Sequence, residues 1–273
     1  MNLQASCSSK ISHVPTHKLS DDSRSDRDIS RLIEGDLSIK SEIGIILPTY
    51  CEAQNIGNLI NDVENLDLDT CILVIDDSSP DNTANIVRAL QREHPNILLY
   101  VRSEKRGLGT AITDAFKLFM MLENPPNCII TMDADYSHDP REIPKLVEPV
   151  RNGCKLAVGS RYCKGGGTRD WSIIRLIISK IANFMAALII GANVHDYTSG
   201  LRCYSSDLVR NIINDLHSTT YEIQIETIRQ ARLRKFKIRE VPITFLNRKR
   251  GKSKLSLNEV KQFLSYIIFR QFS

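Results

Sequence analysis

From Ile43 onward, short apolar runs alternate with stretches whose apolar residues recur every three or four positions. The runs cover residues 43–47, 71–75, 97–101, 128–132 and 155–158. Each is apolar on both sides of the strand alternation, the pattern of strands buried on both faces. Between them, residues 55–66, 82–93, 108–122 and 141–152 carry helical periodicity. Strand–helix alternation at this spacing predicts right-handed crossovers and a mostly parallel central sheet flanked by helices, an α/β fold. On such a sheet, ligands bind beyond the carboxyl ends of the strands. Those ends are where chemistry is expected.

The flanks read differently. Residues 1–41 are rich in Ser, Asp, Arg and Lys with isolated apolar residues, and are expected to form a disordered tail without a secretory leader. Residues 42–250 then form the main domain. Within it, residues 171–190 are apolar except for Ser172, Arg175, Ser179 and Asn183 on one narrow face, and Lys180. Such a helix is a core helix, an interfacial helix or a membrane span, and Arg175, Lys180 and Asn183 make a span costly. Residues 251–273 supply a second amphipathic stretch, with Leu257, Val260, Phe263, Leu264, Ile267 and Ile268 on one face. The amphipathic part, Leu257 to Phe269, follows the most basic run of the chain, Arg248 to Lys254, an anion-binding loop or a solvated one.

Composition removes some classes. A net charge of +4, with no basic stripe interleaved with aromatics, gives no case for nucleic acid. Seven scattered cysteines without a C-x-x-C pair fit neither a disulfide framework nor a structural zinc site, and suit a reducing compartment.

Three strand ends carry acids. The first leads into Pro48-Thr49-Tyr50-Cys51-Glu52, the second into Asp76-Asp77-Ser78-Ser79-Pro80-Asp81, and the fourth into Asp133-Ala134-Asp135. Asp81 and the Ser-Ser-Pro turn have structural explanations as cap and turn. Asp76 and Asp77 repel each other unless something positive or donating lies between them. Asp133 and Asp135 can diverge where the chain turns, one towards a ligand hydroxyl and one towards a divalent cation. Carboxylates plus substrate phosphates form a typical Mg²⁺ seat. After the third strand, Lys105, Arg106, Gly107 and Gly109 precede a helix start that can receive phosphate oxygens, though the spacing fits neither a dinucleotide fingerprint nor a P-loop. Acids recurring at one sheet edge favour a nucleotide–metal site.

The ordered motifs P-T-Y-x-E, D-D-x-S-x-D-x-T, G-x-G-T and D-A-D-x-S-H-x-P resemble glycosyltransferase family 2, most closely its dolichol-phosphate mannosyltransferase branch. Residues 159–162, 196–202 and 240–245, running on to Arg248, Gly251, Ser253 and Lys254, agree with it. The resemblance spans about residues 43–269 and implies the A-type glycosyltransferase fold, with residues 42–250 as the catalytic domain. It also implies a nucleotide-sugar donor, GDP-mannose in the closest branch, a Mg²⁺ or Mn²⁺ ion, and a polyprenyl phosphate acceptor.

Carried over residue by residue, the resemblance makes Pro48, Tyr50, Glu52, Asp76, Asp77 and Asp133 donor contacts, with Lys105 and Gly109 towards the phosphates. Asp133 and Asp135 hold the metal; Ser137, where some relatives have Gln, is a poorer third ligand. Arg161, Arg175, Arg202, Arg248 and Lys254 are candidates for the acceptor phosphate, and Asp133, Asp135 and Arg248 for catalysis. An anionic phosphate needs no general base, and one in-line displacement predicts a β-linked product from an α-linked donor. The implied setting is peripheral, on the cytosolic face of a membrane (endoplasmic reticulum or plasma membrane according to the cell), with small membrane-anchoring subunits as candidate partners. Three alternatives remain: transfer from UDP-glucose, a sugar-phosphate nucleotidyltransferase, and a non-catalytic membrane-docked subunit. The second lacks its expected Gly-rich loop after the first strand.

Overall fold

The computed structural model describes residues 32–247. The basic run with Arg248 and Lys254, the helix expected near 257–269 and nearly all of the N-terminal tail lie outside the described residues.

The centre is four parallel strands, β2 (Ile43–Thr49), β3 (Thr70–Asp76), β4 (Ile97–Val101) and β5 (Cys128–Thr131), in the order β4-β3-β2-β5. Every residue of β3 is buried, as a strand covered on both faces requires. Three crossover helices, α1 (Ile56–Glu64), α2 (Thr83–Leu90) and α3 (Leu108–Met121), return the chain between them. Ile43, Ile45 and Leu47 share a core with Leu59, Ile60 and Val63 of α1 and with Leu146, Val147 and Val150 of α4 (Ile143–Arg151). On the alternate side of β2, Gly44 faces α3, where a Cβ would come within 2.8 Å of the Phe119 ring.

Beyond β5 the sheet changes direction. Strand β8 (Arg202–Ser205) lies antiparallel between β5 and β6 (Leu156–Ser160), and β9 (Ile238–Pro242) pairs parallel with β6. A separate pair, β7 (Gly167–Arg169) with β10 (Thr244–Leu246), carries Phe245. The expected mostly parallel sheet is therefore present, with antiparallel strands added in the second half. Helices α6 (Ser206–Ile212) and α7 (Ile223–Leu233) complete it.

The expected tail ends before residue 41. Ile33 and Glu34 form an edge strand, β1, antiparallel to β4. Glu34 is held there by Arg88, with Nε to Oε2 at 2.7 Å, and its carbonyl accepts from Gln91. An isolated apolar residue sufficed because the edge needs only one covered face.

Helix α5 (Ile173–Ile190) settles one expectation. It is not a core helix: most of its large apolar residues point outward, with Ile173 76% and Leu188 66% exposed, and only Ala186 and Ile190 of its apolar residues are buried. Ser179 and Asn183 of its polar stripe point inward, while Ser172 and Arg175 at its first turn are exposed. Ser179 accepts from the Tyr162 hydroxyl at 2.7 Å, and Asn183 bridges Thr198 and the Tyr197 N–H.

Candidate active site

Strand β2 is flanked by β3 on one side and β5 on the other, so the crossovers diverge at its carboxyl end and open a crevice there. The crevice is a cavity lined by Pro48, Tyr50, Glu52, Asp77, Lys105, Asp133 and Asp135, with Gly107 and Tyr221. Residues from four strand ends thus meet in one place.

Two turns stitched to each other form one wall. The Cys51 N–H donates to Ser79 Oγ at 2.9 Å, the Ala53 N–H to Asp81 at 3.0 Å, and the Glu52 N–H to Thr83 Oγ1 at 3.0 Å. Glu52 accepts from Asn55 at 2.8 Å. The adjacent acids are resolved by different partners. Asp76 is wholly buried and accepts from Thr49 Oγ1, Ser79 N and Ser79 Oγ at 2.6–2.8 Å. It holds the turn and does not line the cavity, which corrects its expected place at the nucleoside. Asp77 does line it, paired with the buried guanidinium of Arg102. Arg102 also donates to Thr110 Oγ1 at 2.7 Å and to the Gly107 carbonyl at 3.0 Å, tying β3 to the start of α3. Sequence reasoning missed Arg102, although it stands one residue past β4 on the edge where the acids lie.

At the start of α3, Lys105 places its ammonium 4.2 Å from the Tyr50 ring centroid, across the cavity mouth. Gly109 has a different role from the one expected. Its N–H donates to the Thr219 carbonyl at 3.0 Å, and a Cβ there would lie 2.4 Å from the Ser218 oxygen. The glycine makes room for the 217–222 loop, not for a phosphate. That loop is fixed by two buried acids: Glu226 accepts from the His217 and Ser218 N–H groups, and Glu222 from those of Thr219 and Thr220. Burial opposes ionisation of Glu222, but the donors from Thr220 and Thr219 prevail and lower its pKa. The loop delivers Tyr221 to the cavity, a contact between distant segments that no local motif announces.

Asp133 and Asp135 follow β5 at the cavity floor. Asp135 accepts from the Ser137 N–H at 2.9 Å, closing a tight turn in which Tyr136 adopts φ 59°. Ser137 itself is buried behind Asp135, off the cavity, with its carbonyl accepting from the Leu246 N–H at 2.9 Å. Its hydroxyl, the expected third metal ligand, is buried without a hydrogen-bond partner among the described residues and is not part of the cavity lining. Next to it, His138 is buried with Nδ1 3.7 Å from Asp133 and its ring edge-on to Phe245. Burial, aided by the charge of Arg161, pushes the His138 pKa down to about 4 against the pull of Asp135 and Asp196, so the ring is neutral.

No trio of Asp, Glu, His or Cys gathers at one point among the described residues. Two carboxylates with a nucleoside diphosphate alongside are nevertheless the oxygen donor set that Mg²⁺ or Mn²⁺ accepts, so the residues present fit such an ion.

The candidate acceptor arginines separate. Arg175, at the first turn of α5, lies 4.0 Å above the Trp171 ring and donates to Asn247 at 3.0 Å. Trp171 packs on Phe245, and Phe245 on His138, which links Arg175 to Asp133 through a short aromatic path. Arg161 is near the same rings, but its fork is occupied by Asp196, with Nε and Nη2 each 2.7 Å from a carboxylate oxygen. Burial works against charge in both partners; the pairing outweighs it, so the Asp196 pKa falls and that of Arg161 rises. Arg202 is wholly buried, donating to the carbonyls of Ser199, Tyr197 and Gln224 and to Thr227. Its expected contact with an acceptor phosphate is corrected: no face of it is exposed, and its guanidinium is taken up by the protein's own carbonyls and Thr227. Beside α5, a groove of about 530 Å³ lined by Tyr162, Leu176, Lys180 and Phe184 runs from Arg161.

Comparison with known proteins decides the family. The profile described as "Glycosyl transferase family 2" matches residues 44–213, more than half the chain. The chain belongs to this family. It is 36% identical over 220 residues to a polyprenol monophosphomannose synthase of Mycolicibacterium smegmatis, covering 80% of this chain and 82% of that protein. An undecaprenyl-phosphate mannosyltransferase of Micrococcus luteus is 36% identical over 213 residues, 77% of this chain and 86% of that one. Among solved structures, glucosyl-3-phosphoglycerate synthase from Mycobacterium tuberculosis, in complex with Mn²⁺, UDP and glucosyl-3-phosphoglycerate, superposes with a TM-score of 0.61. At 19% identity, over 84% of this chain and 77% of that one, it shows the shared A-type fold. The cavity at the β2/β5 switch therefore belongs to a family 2 glycosyltransferase, and the protein is a glycosyltransferase.

Proposed function

We propose that this glycosyltransferase moves mannose from GDP-mannose to a polyprenyl (dolichyl) phosphate, with inversion, giving polyprenyl phosphate β-mannose. The observation that carries the reading is the pair Asp133 and Asp135 on the floor of a cavity walled by Tyr50, Glu52, Asp77 and Lys105. Its relatives, a polyprenol monophosphomannose synthase and an undecaprenyl-phosphate mannosyltransferase, support mannose and a polyprenyl phosphate over UDP-glucose.

Asp133 and Asp135 would hold the divalent ion, as Mn²⁺ is bound in the mycobacterial structural neighbour. Bound there, the ion supplies charge neutralisation for the departing diphosphate. Pro48, Tyr50, Glu52 and Asp77 surround the nucleoside, with Asp77 oriented by Arg102. Lys105 stands at the diphosphate end of the mouth. The acceptor oxygen attacks the anomeric carbon, and the bond to the donor phosphate breaks with its electron pair. No proton is abstracted, because the acceptor is already anionic. Arg175 meets the acceptor phosphate as a planar fork, and Arg248 and Lys254 add charge from the segment that follows β10.

Access for a lipid comes from α5. Ser179 and Asn183 are spent on the protein while Ile173, Ile174, Ile177, Ile178, Ile181 and Leu188 face outward, the arrangement of a helix lying in a bilayer interface. Arg175 at its first turn then sits at headgroup level. The proposed location is peripheral, on the cytosolic side.

The test is incubation with a short polyprenyl phosphate, Mn²⁺, and radiolabelled GDP-mannose or UDP-glucose in parallel. Label in the organic phase from GDP-mannose alone is the expected result. Label from UDP-glucose alone would replace the donor, and lipid-linked label from neither, with or without membranes, would count against transfer itself.

A further inference from the structure

Gly200 stands just before β8 in the segment Asp196 to Arg202. A Cβ built on it would lie 3.0 Å from Asp133 Oδ1, 3.2 Å from Oδ2 and 3.3 Å from Cγ, and these are its three nearest atoms. Gly200 is not among the glycines with positive φ, so the backbone does not call for glycine at this position. What calls for it is the carboxylate lying against its Cα.

We propose that Gly200 is a positioning residue for Asp133, and that the segment around it is a rigid backing against which this carboxylate is set. The inference rests on the reading of Asp133 as a ligand of the metal–diphosphate seat.

The backing is held from several sides. The Gly200 carbonyl accepts from Thr131 Oγ1 at 2.8 Å, at the end of β5, the strand that leads into Asp133. Arg202, wholly buried, donates to the Ser199 carbonyl at 2.8 Å and to the Tyr197 carbonyl at 2.8 Å. Its other contacts, Thr227 at 2.8 Å and the Gln224 carbonyl, anchor it to α7. At the near end Asp196 is locked to Arg161. Held through the carbonyls of Tyr197, Ser199 and Gly200, this backbone resists displacement, whereas a terminal carboxylate turns about its side-chain torsions at little cost. A methyl group at Gly200 therefore moves Asp133 by a few tenths of an ångström and leaves the fold in place. The effect falls on the seat, as for other groups that orient a metal ligand without touching the metal.

The experiment is a titration of Mn²⁺ by the electron paramagnetic resonance signal of the free ion, with GDP present and, in parallel, UDP. The proteins are wild type, Gly200→Ala, Asp133→Ala and the double variant, each also melted thermally. Gly200→Ala is expected to weaken Mn²⁺ roughly tenfold, the lower end for groups that orient ligands, with a melting temperature close to wild type. In the Asp133→Ala background the same substitution should have no further effect, since the group it displaces is gone. Unchanged Mn²⁺ affinity in Gly200→Ala, where Asp133→Ala weakens it, sinks the inference and leaves the seat standing. A wild type whose Mn²⁺ affinity is indifferent to Asp133 overturns both. Should Gly200→Ala not fold, a double variant that folds as Asp133→Ala does supports the inference, and one that also fails assigns Gly200 to the fold.

Discussion

Asp76 and Asp77 are neighbours in the chain, yet one builds a turn and the other faces the cavity. The difference lies in their partners: hydroxyls and an N–H for Asp76, the buried cation of Arg102 for Asp77. Removing one partner of a buried pair leaves an uncompensated charge, so Arg102→Met should cost about 3–5 kcal/mol in urea unfolding. It should also weaken nucleotide binding, because Asp77 loses its orientation. Asp196 gives a pH test. Its pKa is lower in the folded protein than unfolded, so its contribution to stability is complete above its unfolded pKa and is lost as pH falls below it towards the folded value. With an ordinary carboxylate pKa of about 3.9, stability should fall steeply below about pH 4. In Asp196→Asn the neutral-pH stability should already be low and that part of the acid slope absent. An unaltered slope would show that the pair with Arg161 does not carry it. The arginines also mark a limit of sequence reading. Arg161, Arg175 and Arg202 look alike as candidates, but what surrounds each guanidinium is set by carbonyls and acids brought in from elsewhere in the chain.

Helix α5 carries the membrane part of the account. Burying a large aliphatic side chain is worth roughly 1.5–3 kcal/mol, so a face of several isoleucines facing outward is a strong reason to find an apolar surface. Ile177→Asp with Ile181→Asp should abolish flotation with anionic vesicles while leaving binding of GDP with Mn²⁺ intact. Retained flotation would move the docking role away from this helix. Periodicity defined the helix well, from the narrow stripe of Ser172, Arg175, Ser179 and Asn183. It did not say which side faces the protein, because polar residues can satisfy themselves in water or on neighbours. Tyr162, Thr198 and Tyr197 take them here.

The whole molecule was legible where runs were apolar and regular. Strands β2 to β5 and their crossover helices follow from the pattern within a few residues, and with them the edge where the acids meet. The second half was less so. Strand β8 is four residues long and antiparallel, and β9 mixes Arg239 and Glu240 into a partly exposed edge, so neither stands out as a strand. Tyr221 and Gly200 reach the site only through that second half. The ordered motifs nevertheless located the cavity, since its acids come from the ends of β3, β2 and β5, which lie side by side in the sheet.

The central claim is that Asp133 and Asp135 seat the metal and diphosphate from which the sugar leaves for a lipid phosphate. The most direct test is transfer of labelled mannose from GDP-mannose to a polyprenyl phosphate by wild type and Asp135→Ala, each across a Mn²⁺ titration. Wild-type transfer should rise with Mn²⁺ and saturate, and Asp135→Ala should lose at least about a hundredfold in rate, as expected for loss of a main electrostatic stabiliser. Transfer that persists in Asp135→Ala, or that ignores Mn²⁺ and its removal by chelator, would contradict the account.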